Sequence, residues 1–239
     1  MMAHVPKNIL IANGFWDEEV SGGAYRIGSD LARYLARTGH SVHYLCGTQE
    51  RAPEPGVIRN GVHLWRYPMP SRSGLDGLKL FQHIFASYRL TRRILERTRI
   101  DVLNGHSQLQ YLGATLALGR GMTRCYSSHS PLPDEMIADG RTGGWKGGIT
   151  LAVAVQIERW VMAVSKGVQV QSEFTASLLM KRYGNLARKR VKVIQGGIDY
   201  RRFSALDDDR MEARRRLGGA WQGDTPTFFA VRRLVVRMG

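Results

Sequence analysis

Apolar positions follow two different spacings along the chain, and these predict strands and helices in turn. Short continuous apolar runs are typical of buried strands, whereas apolar residues at every third or fourth position predict helices. The first unit reads as a strand at 8–13, a glycine-containing loop, a helix at 24–38 and a strand at 41–46. Gly39 stands where a glycine commonly follows a helix end. Strand, crossover helix and strand together predict two parallel neighbours.

The same alternation continues to about residue 195. The remaining predicted strands are 57–67 (with a turn at Asn60-Gly61), 100–103, 124–128, 168–171 and 191–195, and the predicted helices are 75–97, 108–118, 149–164 and 173–183. Ser172 is expected to cap the last of these helices. The segment 131–148 is rich in proline and glycine and predicts a long mobile loop. This order predicts an α/β fold, a Rossmann-like doubly wound parallel sheet with helices on both faces.

A change in composition predicts the domain limits. Residues 204–224 contain the charged run DDDRMEARRR followed by glycine, which is typical of a linker. An apolar strand pattern then begins at 225 and runs to 239. We expect a first domain at 1–203, a linker at 204–224, and the first strand of a second, truncated domain at 225–239.

The charge balance points to anionic partners. Lys and Arg number 35 against 20 Asp and Glu, giving a net charge of +15 and a pI near 10.4. The basic residues are spread over several helices, and no basic stretch interleaved with aromatic residues resembles a nucleic-acid module. We therefore expect no nucleic acid among the partners, and an anionic membrane surface or a lipid-linked phosphate fits better.

The predicted helix at 75–97 combines apolar and basic positions. These are Leu75, Leu78, Phe81, Phe85, Tyr88 and Leu95, with Lys79, Arg89, Arg92, Arg93 and Arg97 nearby. One interpretation is a helix that covers the sheet and extends its arginines into solvent. The other is a basic amphipathic surface that docks on anionic lipid.

Cysteine and targeting signals are sparse. Cys46 and Cys125 each lie on a predicted strand, and two unpaired thiols in a reducing compartment are expected. No cluster has metal-ligand spacing, so we expect no metal. The N-terminal apolar run is too short for a signal peptide, and the LAVAV stretch is too short to span a bilayer. These features predict a cytoplasmic protein, peripheral at the inner face of the membrane.

Six segments carry a resemblance to a known family. They are SGGAYRIGSDLARYLARTGHSVHYL (21–45), DVLNGHS (101–107), YSSHSP (126–131), VQVQSEFTASLLMKRYG (168–184), VKVIQGGIDYRRF (191–203) and RRLVVRMG (232–239). In order and spacing they resemble the retaining family 4 glycosyltransferases of the GT-B fold. The resemblance implies that the chain is the N-terminal, acceptor-side half of such an enzyme, followed by the start of the donor-binding half.

The sequence departs from the family pattern at several positions. Gln195 and Gly196 replace the usual Pro-Asn, and Arg232 replaces a glycine. Met238 stands where the family usually has a phosphate-binding lysine, and the adjacent Arg237 can supply that charge. The acidic motif that holds the donor sugar and ribose falls beyond the sequence.

Gly22, Gly23 and His129 are the leading site candidates. Two glycines between a strand and a helix let backbone come close to a diphosphate or sugar, beside the free N–H groups of a helix start. The alternative is a tight turn that serves only the connection. His129 follows a strand at the sheet edge where open α/β folds bind ligands. The resemblance implies that it contacts the transferred sugar and stabilises charge in the transition state; the alternative is a hydrogen-bonded loop histidine.

Further candidates carry weaker signals. Asn104 and His106 end a strand and are candidates for binding acceptor hydroxyls, although His106 fits a loop-orienting role equally well. Glu135 is either a contact to an acceptor hydroxyl or a solvated carboxylate. The resemblance implies that Arg233 clamps the donor diphosphate, with Arg237 beside it; a planar guanidinium suits phosphate.

The function implied by the resemblance is transfer of a sugar from a nucleotide-diphosphate sugar to a glycan, lipid-linked or small-molecule acceptor, with retention of configuration and no cofactor or metal. The 239-residue chain alone is expected to be inactive. A non-catalytic sugar- or nucleotide-binding module is the alternative. A nicotinamide-dependent oxidoreductase is disfavoured because no acidic residue closes the second strand before Glu50.

Overall fold

The computed structural model describes residues 5–69, 77–119, 121–140 and 142–197, together with 212, 215 and 216. The chain divides into two compact units, Met1–Gln195 and Gly196–Gly239. In the second unit, Glu212 pairs with Arg215 and Arg216 at 3.0 and 3.1 Å. The predicted domain limits after 203 and 224 lie outside the described residues and stay predictions.

The first unit is built on one sheet. Its strands are β1 Asn8–Phe15, β2 Ser41–Thr48, β3 Val57–Arg59, β4 Val62–Pro68, β5 Val102–Gly105, β6 Thr123–Ser128, β7 Gly167–Val170 and β8 Val191–Val193. They lie in the order β3-β4-β2-β1-β5-β6-β7-β8, and every neighbouring pair except β3 and β4 is parallel. The chain winds outward from β1 in one direction and then from β5 in the other. The predicted doubly wound α/β fold is confirmed.

Helices cover both faces of this sheet. They are α1 Gly23–Arg37, α2 Gly77–Leu95, α3 Gln108–Ala117, α4 Leu132–Ala138, α5 Gly144–Val164, α6 Glu173–Tyr183 and α7 Asn185–Arg188. On one face, Ala32 of α1 packs with Ile11 of β1 in one apolar cluster. On the other face, Leu90 of α2 and Val161 of α5 pack with Leu103 of β5 in a larger cluster. Burial of these apolar side chains is the main stabilising contribution to the fold.

Local capping signals are placed as predicted. The Ser172 hydroxyl accepts a hydrogen bond from the Thr175 N–H at 3.2 Å and so caps α6. Gly39 follows the end of α1 with a φ of 91°, a conformation that favours glycine. Gly184 ends α6 with a φ of 54°, and the short helix α7 follows directly, which the sequence pattern did not predict.

The predicted turn at Asn60-Gly61 is confirmed, but the prediction of one strand at 57–67 is wrong, because the chain turns back at that point. Val57–Arg59 and Val62–Pro68 are separate antiparallel strands joined by Asn60 and Gly61. Both turn residues have positive φ values, 50° and 78°. Two consecutive residues of this kind make the tight turn whose twist matches a hairpin, so the edge of the sheet is antiparallel.

The prediction of a long loop at 131–148 is also wrong. Helix α4 occupies Leu132–Ala138, and α5 begins at Gly144, earlier than the predicted start at 149. Pro133 lies in the first turn of α4, where its missing N–H costs nothing, and Asp134 and Glu135 favour the positive end of the helix. The prolines that suggested a loop therefore begin a helix.

Helix α5 is longer and more apolar than the sequence interpretation allowed. It has 21 residues, and its most apolar window has a mean hydropathy of 1.3, so by length and composition alone it could cross a bilayer. It also covers the sheet, since Ala154, Val161 and Met162 are buried against it. The judgement that this region is too short to span a membrane does not hold for the helix that forms.

Candidate functional site

Three loops meet at the carboxyl edge of the sheet, around its centre. Gly22 and Gly23 follow strand β1, His106 follows β5, and His129 follows β6. These strands are parallel neighbours, so their carboxyl ends lie at the same edge. The winding direction of the sheet changes between β1 and β5, and crevices at such a switch point are where open α/β folds bind ligands.

The two histidines form a direct pair. The Nδ1 atom of His106 lies 2.9 Å from the Nε2 atom of His129, and the rings are stacked with centroids 5.1 Å apart. His106 is 5% exposed, and its backbone N–H donates to the Ala12 carbonyl of β1 at 2.8 Å. The backbone of one strand end thus fixes His106, which in turn orients His129. Of the two roles considered for His106, the structure provides the orienting contact.

Burial keeps both imidazoles neutral at ordinary pH. It lowers the pKa of His106 to about 3, with a smaller contribution from His129. Burial also lowers the pKa of His129 to about 4, and the negative charge of Glu135 opposes this shift. Two neutral rings joined by one hydrogen bond share a single proton between the bonded nitrogens, so the tautomer of one ring determines that of the other.

One nitrogen on each ring has no partner among the described protein atoms. These are Nε2 of His106 and Nδ1 of His129, and both are buried. Whichever ring donates within the pair, the outer nitrogen of the donating ring is an unused acceptor and the outer nitrogen of the other ring is an unused donor. A hydroxyl can both donate and accept, so an alcohol or sugar hydroxyl matches either tautomer of His129.

The Gly22-Gly23 loop has room for a ligand at one of its two glycines. A Cβ on Gly22 would come within 2.8 Å of the Tyr25 ring, whereas one on Gly23 would have nothing within 4 Å. Gly22 is therefore explained by the packing of Tyr25, and Gly23 has no such internal reason. Helix α1 begins here without a side-chain cap or an acidic residue in its first turn, which leaves its first N–H groups available to an anion.

Arginines hold the rest of this loop, a feature that the sequence did not reveal. Asp17 and Glu18 pair with Arg33 of α1 at 2.8 and 3.0 Å. Glu19 pairs with Arg66 of β4 at 2.8 Å, and the arginine side chain is only 4% exposed. The run of three acids before the glycines was visible, but partners fifteen to forty-seven positions away were not.

Asn104 and Glu135 lie near the pair in different ways. The Asn104 side-chain oxygen accepts from the Ser127 hydroxyl of the neighbouring strand at 3.4 Å. Glu135 lies in the first turn of α4, half-buried, and its charge acts on His129. Asn104 therefore links two strands, whereas the negative charge of Glu135 acts on the pKa of His129.

Glu158 is a further residue that the sequence did not single out. It is 2% exposed on α5, accepts from the Leu132 N–H at 2.9 Å, and accepts from the Tyr183 hydroxyl at 2.8 Å. Burial raises its pKa. Beside it, Arg182 of α6 pairs with Asp134 of α4. These contacts hold helix α4, and hence the segment that follows His129, against α5 and α6.

Two of the predicted donor contacts cannot be placed. Arg233 and Arg237 lie outside the described residues. Among the residues that the structure describes, no group of three or more His, Cys, Asp or Glu side chains is arranged to hold a metal ion.

Comparisons with known proteins agree with this architecture. The model of the family described as Glycosyltransferase Family 4 matches residues 21–202. A solved structure of sucrose-phosphate synthase from Thermosynechococcus elongatus aligns with a TM-score of 0.66 and 13% identity over 87% of this chain and 52% of that one. A second structure of that enzyme aligns with a TM-score of 0.52 and 15% identity, over 82% of this chain and 91% of the other.

These structural matches show the fold alone, because sequence identity is low. The chain spans about half the length of the first sucrose-phosphate synthase structure, 52%. No curated protein matches the sequence significantly.

Proposed function

Because the chain belongs to glycosyltransferase family 4, we propose that it forms the acceptor-side half of an enzyme that transfers a sugar from a nucleotide-diphosphate sugar. Its fold is that of the N-terminal half of a GT-B glycosyltransferase. The proposed acceptor is a glycan, a lipid-linked molecule or a small molecule with a free hydroxyl. Transfer proceeds with retention at the anomeric carbon.

The placement of His129 carries this proposal. It follows β6 at the switch-point edge, is oriented by His106 from β5, and shares that edge with the Gly22-Gly23 loop after β1. Parallel strands bring these three loops together although more than a hundred residues separate Gly22 from His129. A hydroxyl-bearing substrate at this edge lies beside an oriented imidazole and the start of a helix.

His129 acts in this proposal as a neutral hydrogen-bonding group. Burial lowers its pKa to about 4, so an imidazolium is a minor species at neutral pH. A neutral ring can accept from or donate to a sugar hydroxyl through Nδ1, and its dipole can favour the positive charge that develops at the anomeric carbon. The charge of Glu135 favours a positive site at the same place.

Positive charge and backbone amides, rather than a metal, bind the donor diphosphate in this proposal. The uncapped N-terminus of α1 at Gly23 offers N–H groups. Arg233 and Arg237 are assigned to the diphosphate on the resemblance of their motif. The net charge of +15 favours attraction of an anionic donor.

We further propose that the 239-residue chain alone has negligible transferase activity. The sucrose-phosphate synthase that it resembles is about twice as long, since the chain covers 52% of it. A donor held from one side only lacks the positioning on which transfer depends.

The decisive experiment compares His129→Ala with His40→Ala in a protein that includes the residues downstream of 239. His40 lies at the opposite, amino edge of the sheet, just before β2. Release of nucleoside diphosphate is measured with a panel of nucleotide sugars and hydroxyl acceptors. We expect His129→Ala to lower kcat about a hundredfold with a smaller change in acceptor KM, and His40→Ala to leave both values near those of the unsubstituted protein.

Three other results decide against parts of the proposal. Equal turnover by His129→Ala and the unsubstituted protein removes the role of His129. Ligand binding without turnover by the longer protein identifies a non-catalytic binding module. Inversion at the anomeric carbon, read from the proton coupling of the product by NMR, excludes the retaining mechanism.

A further inference from the structure

The outward face of helix α5 is apolar, which is unusual for a helix on a protein surface. Trp145, Ile149 and Val153 follow one another at intervals of four residues and are 74%, 55% and 43% exposed. The opposite face of the same helix is buried through Ala154 and Met162. A sheet-covering helix normally presents charged and polar residues to solvent. In α5, only 28% of the most apolar window is buried, so its hydrophobicity is not explained by the core.

The apolar surface continues onto the neighbouring helix α3. Leu116 is 57% exposed, and with Leu112 it borders a groove of about 310 Å³ whose other wall is Gln156, Ile157 and Trp160 of α5. Helix α3 carries no charged residue. The surface therefore spans two adjacent helices rather than isolated side chains.

Helix α2 extends the same surface on the far side of α3. The two helices pack so closely at Gly113 that a Cβ there would come within 2.4 Å of the Ile84 carbonyl. Phe81 and Phe85 of α2 are 73% and 59% exposed, one helical turn apart. Leu90 and Ile94 of α2 pack in the core, on the side of the helix opposite Phe81 and Phe85. These phenylalanines therefore face away from the sheet.

Cations lie on the same three helices. Among the side chains that the structure describes there, the exposed basic residues are Arg89, Arg92, Arg93, Lys146 and Arg159. Two of them lie over aromatic rings of the same surface, Arg89 over Phe85 at 5.7 Å and Lys146 over Trp145 at 5.6 Å. The one acidic residue within α2, α3 and α5 is Glu158, which is buried and hydrogen-bonded inward.

We propose that the outer surface of α2, α3 and α5 docks on an anionic lipid bilayer. Apolar and aromatic side chains beside lysine and arginine match the layered chemistry of a bilayer surface, where acyl chains lie beneath anionic headgroups. A second copy of this chain fits less well, because it carries the same charge of +15. This docking does not rest on the proposed transferase function, since it is a property of the surface alone.

The surface lies close to the candidate site. Helix α5 ends at Val164, two residues before β7 begins, so its C-terminal end lies at the amino edge of the sheet. From there the helix runs back past Glu158, which bonds Leu132 near His129, and continues for about 20 Å to Trp145. The Trp145 end therefore projects beyond the carboxyl edge, and docking holds that edge near the membrane.

Vesicle flotation of the 239-residue chain tests the proposal. One set of vesicles is phosphatidylcholine alone, and the other is phosphatidylcholine mixed with phosphatidylglycerol, each at low and high salt. We expect binding to the anionic vesicles, weaker binding at high salt, and little binding to the neutral vesicles. Tryptophan fluorescence should shift to shorter wavelength with anionic vesicles, and this shift should shrink in Trp145→Phe.

The key variant is Trp145→Ser combined with Ile149→Ser. Both side chains are exposed, so thermal unfolding followed by circular dichroism should be unchanged. The matched control is Tyr34→Ser, which removes an aromatic side chain that is 57% exposed on α1, on the opposite face of the sheet. We expect the double variant to lose binding at least about tenfold and the control to bind like the unsubstituted chain.

Several outcomes overturn the proposal. They are absence of binding to anionic vesicles, equal loss in Tyr34→Ser, and unchanged binding in the double variant. A dimer in solution that the double variant abolishes, with no vesicle binding, assigns the surface to a second copy of the chain instead.

Discussion

The Nδ1 atom of His106 and the Nε2 atom of His129 lie 2.9 Å apart and join the ends of neighbouring strands. Both rings are held neutral by burial. The pair therefore differs from a histidine–carboxylate arrangement, in which the carboxylate raises the pKa of the ring. Here the second imidazole supplies orientation without adding charge, which suits a group that binds a hydroxyl.

Acidification should destabilise the fold through this pair. Burial lowers the pKa values of His106 and His129 to about 3 and about 4 from 6.5. Below pH 6.5 the unfolded chain takes up protons that the folded chain does not, so the free energy of unfolding falls as pH drops toward 4. Each such proton contributes about 1.4 kcal/mol per pH unit. Urea unfolding at neutral pH and in mild acid measures this slope.

His106→Asn provides the comparison for the acid effect. It removes one titrating ring, so its slope should be shallower by about one proton. His43, whose pKa burial lowers to about 4, is present in both proteins and cancels in the difference. An unchanged slope would mean that these rings are not buried as described.

Arg66→Ala should destabilise the protein strongly. Its side chain is 4% exposed and its partner Glu19 is 15% exposed, so removal of the arginine leaves a carboxylate with little solvent to replace it. We expect a loss of about 3 kcal/mol in the free energy of unfolding. The matched control is Arg59→Ala, because Arg59 pairs with the adjacent Glu18 at the surface, where the side chains are 38% and 47% exposed. That change should cost under about 1 kcal/mol, and similar losses in the two variants would contradict the burial argument.

Glu158→Gln should weaken the attachment of helix α4. The two carboxylate oxygens of Glu158 accept from Leu132 and Tyr183, and an amide has only one oxygen to offer. Chemical denaturation should show a loss of about 1–3 kcal/mol. Glu173→Gln on the exposed first turn of α6 is the control, and it should change stability by less than about 0.5 kcal/mol. The rate of amide hydrogen exchange in α4 should increase in Glu158→Gln and not in Glu173→Gln.

Gly23→Ala tests whether the loop after β1 contacts a ligand. A methyl group at this position meets no protein atom within 4 Å, so stability should be unchanged or slightly raised. If a substrate lies against the loop, KM for the nucleotide sugar in the longer protein should rise about tenfold or more. Gly148→Ala, in an equally open position on α5, should leave KM unchanged. An unaffected KM in Gly23→Ala would leave only a structural role for the loop.

Features set by neighbouring residues were predictable from the sequence. Ser172 caps the helix that it precedes, and Gly39 follows a helix end with positive φ, because each depends on a few adjacent positions. The parallel sheet was predictable for a similar reason, since strand and helix patterns alternate along the chain. The locations of His106 and His129 at one edge follow from that alternation.

Features that depend on distant partners were not predictable. Glu158 lies within an apolar helical run, and nothing local indicates that it accepts from Leu132 and Tyr183, 26 and 25 positions away. The bond between His106 and His129 depends on the register of two strands and on rotamers that no pattern encodes. The proline-rich segment after His129 was misread because proline begins helices as well as interrupting them.

The reversal at Asn60 and Gly61 also bears on how copies of this protein behave beside one another in solution. It leaves a strand of three residues, Val57–Arg59, at that margin of the described sheet, in place of the seven-residue β4. A short edge strand that contains an arginine offers another molecule few backbone groups for pairing, and this disfavours edge-to-edge aggregation. Loss of the turn would uncover β4 and expose a longer strand as a template for association.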